Sequence, residues 1–293
     1  MIEFIKIIFR ILGRIPLIPF GAKLWLTDKR REFRFLIPPN KELVYDRYLG
    51  DLRVNINTLY PVELEMLTGE YDPCTSKVIR KFLQKGCVAA DIGANVGALT
   101  MLMAKLVGKN GIVLAVEPGP PIFSRLVNNL ELNPKIKSRV RIVQLGLSDR
   151  KDELFWYEDP RNRGNAGLLN GYGIPVDVIT LDELVSRENV SRLDFVKIDV
   201  EGMELEVIKG GTRTFQEYKP VIYYETLTAF KQHRGFDIFA QIAKILKSMD
   251  YTLFGLDLLG NFQYLENLEE LPRNTLALPK EKAQGGCLAM PCT

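Results

Sequence analysis

The chain has 293 residues, 46% of them hydrophobic and 26% charged, which fits a soluble globular protein and excludes disordered, collagenous and polytopic membrane classes. A formal net charge of +3 is too small to indicate a nucleic-acid partner, and no RNA-binding aromatic motif or zinc-finger spacing accompanies it. The length accommodates one large α/β domain with a small extension.

The charge is uneven. Lys6, Arg10, Arg14, Lys23, Lys29, Arg30, Arg31 and Arg34 crowd the first segment against Glu3, Asp28 and Glu32. From Ile2 to Leu12 the cations Lys6 and Arg10, continued by Arg14, recur every fourth position opposite Ile5, Ile8, Phe9 and Leu12, which predicts a basic amphipathic helix. Such a helix either makes a peripheral contact with an anionic membrane or packs on its own domain. No run reaches the roughly 18 apolar residues of a membrane span, and the cations interrupt any secretory signal, so a cytoplasmic protein, alone or peripheral at the membrane, is expected. Cys74, Cys87, Cys287 and Cys292 form no C-x-x-C pair, and His233, the single histidine, sits beside Arg234-Gly235 as on a polar surface turn; no zinc site is expected.

Pro16 and Pro19 end the first helix, and Phe33–Ile37 and Leu52–Ile56 read as short extended pieces around Pro38-Pro39. Residues 1–60 are taken as an N-terminal extension, 61–280 as the main domain and 281–293 as a tail. Two helices follow, Pro61–Thr68 and Thr75–Gln84, stopped by Gly86. Strand and helix then alternate: Cys87–Ile92, Leu99–Leu106, Ile112–Glu117, Ile122–Leu132, Val140–Leu145. The stretch Trp156–Tyr172, with Arg161, Arg163 and several glycines, reads as a substrate-facing loop or a surface insertion. The alternation resumes with Leu181–Ser186, Phe195–Val200, Leu205–Gly210, Val221–Glu225 and Asp237–Met249. Short apolar strands between amphipathic helices predict a doubly wound, Rossmann-like, mostly parallel sheet. Tyr251–Leu256 and Asn274–Leu278 lack a helix between them and should close it as an antiparallel strand pair.

The strongest local signal is the strand Val88–Ile92 running into Gly93-Ala94-Asn95-Val96-Gly97. Gly93 and Gly97 permit a tight turn and close approach to a ligand at the carboxyl edge of the sheet. A dinucleotide fingerprint would be G-x-G-x-x-G over a pyrophosphate, but here Asp91 precedes the turn and would repel that anion. S-adenosylmethionine, with an ammonium, a sulfonium and no phosphate, fits better. Glu117-Pro118 ends the next strand, where a carboxylate holds ribose hydroxyls. Asp199 and Glu201 end a third strand; as alternating residues they would share a face in an unbroken strand, and could deprotonate a hydroxyl or cap and pair locally. Lys197 is expected to pair with a neighbouring acid, and Glu204 to start a helix as the dipole favours. Magnesium held by the carboxylates is an alternative means of deprotonation, not a requirement.

In their order and spacing, DIGANVG, AVEPGPPIFSRLVNNLELN, ITLDEL, FVKIDVEGMELEVIKGG and KPVIYYET resemble the FkbM-type methyltransferases, over roughly Gly69 to Glu225. The resemblance implies a class I methyltransferase fold, S-adenosylmethionine as donor, and O-methylation of a hydroxyl on a sugar, glycan, glycolipid or glycosylated natural product. It also implies cofactor roles for Asp91, Gly93, Asn95, Gly97 and Glu117, to which Ala94 and Pro118 are added as neighbours, with Asp199 and Glu201 as the catalytic acids. Many members carry histidine where this chain has Met203, so a histidine-based proton transfer is unavailable at that spot. An NAD-dependent oxidoreductase, and a non-catalytic cofactor-binding protein, are the competing readings. The sequence leaves the acceptor and the oligomeric state open.

Overall fold

The computed structural model describes residues 40–158, 166–169, 171–225, 238–257, 261–265 and 274–284. It opens with strands β1 (Glu42–Tyr48) and β2 (Leu52–Asn57), paired antiparallel, and helices α1 (Pro61–Met66) and α2 (Pro73–Phe82). Next come β3 (Val88–Ile92), α3 (Ala98–Val107), β4 (Ile112–Val116), α4 (Pro120–Glu131), the short α5 (Pro134–Lys137) and β5 (Val140–Val143). Strands β6 (Gly146–Leu147), β7 (Asp152–Glu158), β8 (Ala166–Leu169) and β9 (Ile174–Ile179) precede α6 (Leu181–Arg187), β10 (Phe195–Ile198), α7 (Glu204–Gly210), α8 (Thr212–Tyr218) and β11 (Val221–Glu225). The remainder is α9 (Ile238–Ser248), β12 (Tyr251–Leu256), β13 (Phe262–Tyr264), β14 (Asn274–Pro279) and α10 (Lys280–Gln284).

Eight strands form the main sheet in the order β13-β12-β14-β11-β10-β3-β4-β5. The five from β11 to β5 are parallel, β14 runs antiparallel to β11, and β12 antiparallel to β14. Alternate residues divide the core into two layers, as the two-residue period of a strand requires. Ala89, Val113, Ala115, Phe195 and Tyr223 join a buried cluster with α3, α4 and the β1–β2 hairpin. Ala90, Leu114, Val196, Ile198 and Tyr224 join a second cluster with α6 to α9. Both faces are therefore covered, which is why β3 is buried at every position. From β3 the chain winds outward to β4 and β5, then crosses back to β10 on the other side. The order reverses between β3 and β10, and a crevice opens at their carboxyl ends.

The doubly wound sheet and its antiparallel closure agree with the sequence reading, but several local expectations need correction. Phe195–Val200 is not one strand: it ends at Ile198, so Asp199 and Glu201 do not share a strand face. The stretch Trp156–Tyr172, read as a substrate-facing loop or a surface insertion, contains the end of β7 and all of β8, which pair there and join β6 and β9 in a separate four-stranded sheet. The stretch before Leu52 contains the full strand β1, and the polar connection after Leu256 contains β13. The helix expected over Ile2–Leu12, the piece Phe33–Ile37, Arg161, Arg163, His233, Cys287 and Cys292 lie outside the described residues.

The β1–β2 hairpin is tied to the main sheet's helices by specific bonds. Tyr48 Oη donates to the Ala98 carbonyl at 2.9 Å. Asn55 N donates to Asn129 Oδ1 at 2.8 Å, and Asn129 Nδ2 donates to the Val96 carbonyl at 2.9 Å. Arg53 N bonds Asn133 Oδ1 at 2.9 Å. Arg125 of α4 forks between Glu63 and Glu42, and burial raises the Glu63 carboxyl against the pull of that guanidinium. Among the described residues, no helix is long and apolar enough to cross a membrane.

Candidate active site

The crevice is built from the turn after β3. Gly93 has φ +78°, and its N–H and that of Ala94 both donate to the Val116 carbonyl, at 3.0 and 2.9 Å. A Cβ on Gly93 would lie 1.8 Å from the Asp199 carbonyl oxygen, so only glycine lets the two strand ends meet. Asn95 occupies the left-handed region at φ +51°, a strained setting for a side-chain-bearing residue. Its N–H donates to Glu117 Oε2 at 2.9 Å, while Gly119 N–H donates to Glu117 Oε1 at 2.9 Å. The Glu117 carboxylate is thereby fixed by two backbone donors at the end of β4. Burial raises its pKa to about 7, the two backbone bonds opposing the shift.

Beneath the turn lies a buried ionic cluster. Register sets Lys197 of β10 beside Asp91 of β3. Lys197 Nζ stands 3.3 Å from Asp91 Oδ1 and 3.5 Å from Asp199 Oδ2, and donates to the Gly93 carbonyl at 2.7 Å. Burial alone would lower the lysine's pKa, but Asp91 and Asp199 outweigh it and the net shift is upward. Asp91 is fully buried, and its Oδ2 accepts from Thr100 Oγ1 at 2.5 Å. Asp199 keeps 30% of its side chain exposed.

Past Asp199 the backbone turns sharply: Glu201 sits at φ +52° and Gly202 at φ +104°. Glu204 accounts for this turn, since its Oε1 accepts from Val200 N–H and Gly202 N–H, both at 3.2 Å. Burial lifts the Glu204 carboxyl to about 7, against these backbone bonds. The helix-start role expected of Glu204 thus comes with a second one, that of shaping the Asp199–Gly202 turn.

The cleft encloses about 70 Å³, or about 650 Å³ when the open space at its mouth is included. Gly93, Asn95, Glu117, Pro118, Asp199 and Glu201 all line it. Asp91, Ala94 and Gly97 do not. Asp91 supports the turn from below, Ala94 is buried, and Gly97 caps α3 at φ +88° against Leu126. Sequence reasoning did not single out Ile122, Leu145 and Leu147, which also line the cleft, while Trp156 and Leu168 come from the stretch read as a substrate-facing loop or surface insertion, and Met203 from the position where many family members carry histidine. The unbroken apolar run over residues 154–157 was the available signal for a strand there. Among the described residues no group of three His, Cys, Asp or Glu side chains is placed to hold a metal ion.

Residues 91–253 match the methyltransferase FkbM domain family. The hexuronic acid methyltransferase AglP of Haloferax volcanii is 32% identical over 160 residues, covering 53% of this chain and 62% of the relative. Methyltransferase sdnD of Sordaria araneosa is 28% identical over 191 residues, covering 50% of this chain and 73% of the relative. The chain therefore spans less than two thirds of the length of AglP. Among solved structures, the methyltransferase FkbM of Methylobacillus flagellatus superposes with a TM-score of 0.44 at 18% identity, over 74% of this chain and 52% of the other.

Proposed function

Because the chain belongs to the FkbM methyltransferase family, we propose that it transfers the methyl group of S-adenosylmethionine to a hydroxyl of a sugar, glycan or glycosylated small molecule. The observation that carries this reading is the charge balance at the crevice. Asp91 and Asp199 face one ammonium, that of Lys197, which leaves a negative charge uncompensated beside the Gly93–Asn95 turn. An ammonium and a sulfonium are attracted there, whereas a pyrophosphate is repelled. Glu117, held by two backbone donors, keeps lone pairs free for the two ribose hydroxyls.

When bound, S-adenosylmethionine supplies an electrophilic methyl group. The chain's own work is alignment and proton removal. Asp199, which lines the cleft with 30% of its side chain exposed, would accept the proton of the acceptor hydroxyl as that oxygen takes up the methyl group. Glu201, aimed by the turn that Glu204 ties, orients the same hydroxyl. The hexuronic acid in the name of the Haloferax relative makes sugars the first acceptor class to try.

Calorimetry with S-adenosylhomocysteine and with NAD, followed by turnover on a panel of uronic acid and neutral glycosides, tests the proposal. Binding of S-adenosylhomocysteine and methylation of a glycoside hydroxyl are expected. Binding of NAD in its place would overturn the donor, and binding without turnover on any glycoside would overturn the acceptor class.

A further inference from the structure

Resting on the proposed acceptor class, we infer that Tyr157 and Tyr172, on the solvent side of the second sheet, form the platform on which the acceptor's sugar ring lies while its hydroxyl is presented to Asp199 and Glu201. The two-residue period of the strands separates the faces of that sheet. Trp156 and Val176 are buried in the main core cluster, whereas Glu153, Pro175 and Asp177 are exposed on the opposite face, which Phe155 and Tyr157 share. Tyr172, just before β9, is 73% exposed, and its ring centroid lies 6.1 Å from that of Tyr157 with the planes tilted by 52°.

Glycines flank Tyr157 on both neighbouring strands. Its partner on β8 is Gly167, and the β7–β9 register, which ends at Trp156 and Ile174, brings Gly173 next on the other side. No cross-strand side chain therefore lies over the Tyr157 ring from either position. Gly173 is confined to glycine by φ +132° and by the Trp156 carbonyl oxygen, 2.2 Å from where its Cβ would stand.

Gly167 connects the platform to the acids. It lines the cleft, and a Cβ built on it would lie 3.8 Å from the Glu201 Cβ. Paired residues of an antiparallel ladder project from one face with Cβ atoms about 5 Å apart, so Tyr157 and Glu201 flank Gly167 on the same side of the sheet. That spacing suits a pyranose. Its ring C–H groups form an apolar, weakly positive face that complements the negative face of an aromatic ring, while its hydroxyls radiate from the edge toward the carboxylates. A wholly apolar ligand would instead strip water from Glu201 without replacing its hydrogen bonds.

The test measures methylation of a methyl glycoside accepted by the parent, beginning with methyl glucuronide, and of its phenyl counterpart. Tyr157→Ala and Tyr172→Ala should each raise KM for both glycosides by about two- to tenfold, the scale of one aromatic contact, with kcat within about twofold and S-adenosylhomocysteine affinity unchanged. Tyr157→Phe and Tyr172→Phe should keep the parent KM. Circular dichroism checks folding, and Tyr172, being exposed, carries the test by itself where Tyr157→Ala disturbs the sheet. An unchanged KM for the methyl glycoside in Tyr172→Ala, or a loss confined to the phenyl glycoside, which would make the tyrosines a seat for the aglycone, would overturn the platform and leave the methyltransferase reading standing. Failure of the parent to methylate any glycoside would take down the acceptor class and the platform together.

Discussion

Gly93→Ala tests whether the meeting of two strand ends at the crevice is obligatory. Gly86 provides an internal reference: both glycines have positive φ, +78° and +84°, but a Cβ on Gly86 meets nothing within 4 Å. The backbone cost of placing alanine in the left-handed region, about 1–2 kcal/mol, is common to both. At Gly93 the new methyl falls 1.8 Å from the carbonyl oxygen of Asp199, so reaching even a 3.0 Å contact means a separation of roughly 1.2 Å more. That oxygen belongs to backbone, and Asp199 N–H is itself bonded to the Ile92 carbonyl at 3.1 Å, so no side chain can rotate away. Overpacking of this kind adds about 1–3 kcal/mol. Urea unfolding of the two variants should show Gly93→Ala with a midpoint lower than that of Gly86→Ala by about 0.5–1 M at similar slope. S-adenosylhomocysteine affinity should fall in Gly93→Ala and hold in Gly86→Ala. Equal midpoints and equal affinities in the two variants would refute the steric reasoning.

Asp199→Asn should lower turnover on a methylated acceptor by about 10²–10⁴-fold with S-adenosylhomocysteine affinity nearly unchanged, and Glu201→Gln should cost less; near-full turnover in both leaves alignment as the sole source of rate. Glu117 titrates near 7 because it is buried, yet two ribose hydroxyls require its ionised form. Cofactor affinity measured by calorimetry should therefore drop by up to about tenfold per unit as pH falls below 7, and Glu117→Gln should be flat. The folded value exceeds the ordinary 4.5, so the same group favours the folded chain at low pH and loses that contribution as pH rises through about 7; Glu117→Gln should remove this slope from urea unfolding. Thr100→Val deletes the hydroxyl that bonds Asp91, and should lower stability by about 1.5–3 kcal/mol while leaving the cleft lining intact. Liposome flotation of the full chain against one starting at Lys41 checks the membrane reading of the first helix, which requires the full chain alone to float.

The turn from Asp91 to Gly97 and the acid at Glu117 were legible in the sequence because strand, turn and helix are local: each residue's role depends on neighbours a few positions away. The helix starting at Leu181 was readable for the same reason, and in the structure the Thr180 hydroxyl caps it by accepting from Glu183 N–H at 3.0 Å. What was not legible came from distance along the chain. That Asp91 lies under the turn and not in the cleft depends on Thr100 and on Lys197 from a strand that pairs with β3 only in the folded sheet. Asp199 and Glu201 looked like alternating strand positions, but the Glu204 carboxylate draws the Val200 and Gly202 N–H groups together and bends the backbone between them. Trp156 hid in a segment whose partner strand, Ala166–Leu169, is short and follows polar and glycine-rich residues, so the pairing left little trace in the periodicity.

The bonds of the β1–β2 hairpin bear on how the chain acquires its structure. Asn55 and Arg53 find their acceptors on Asn129 and Asn133, 74 and 80 residues further on, and Asn129 in turn secures the Val96 carbonyl in the Gly93–Gly97 turn. As the polypeptide leaves the ribosome, the hairpin emerges long before the helix that completes it, exposing Val54 and Ile56 with no surface to cover them. Contacts of such long sequence separation form late, because loop closure must come first. The Gly93–Gly97 turn should accordingly reach its final shape only after α4 has been synthesised and docked, and hydrogen exchange during refolding should show the amides of Asn55 and Asn95 gaining protection together.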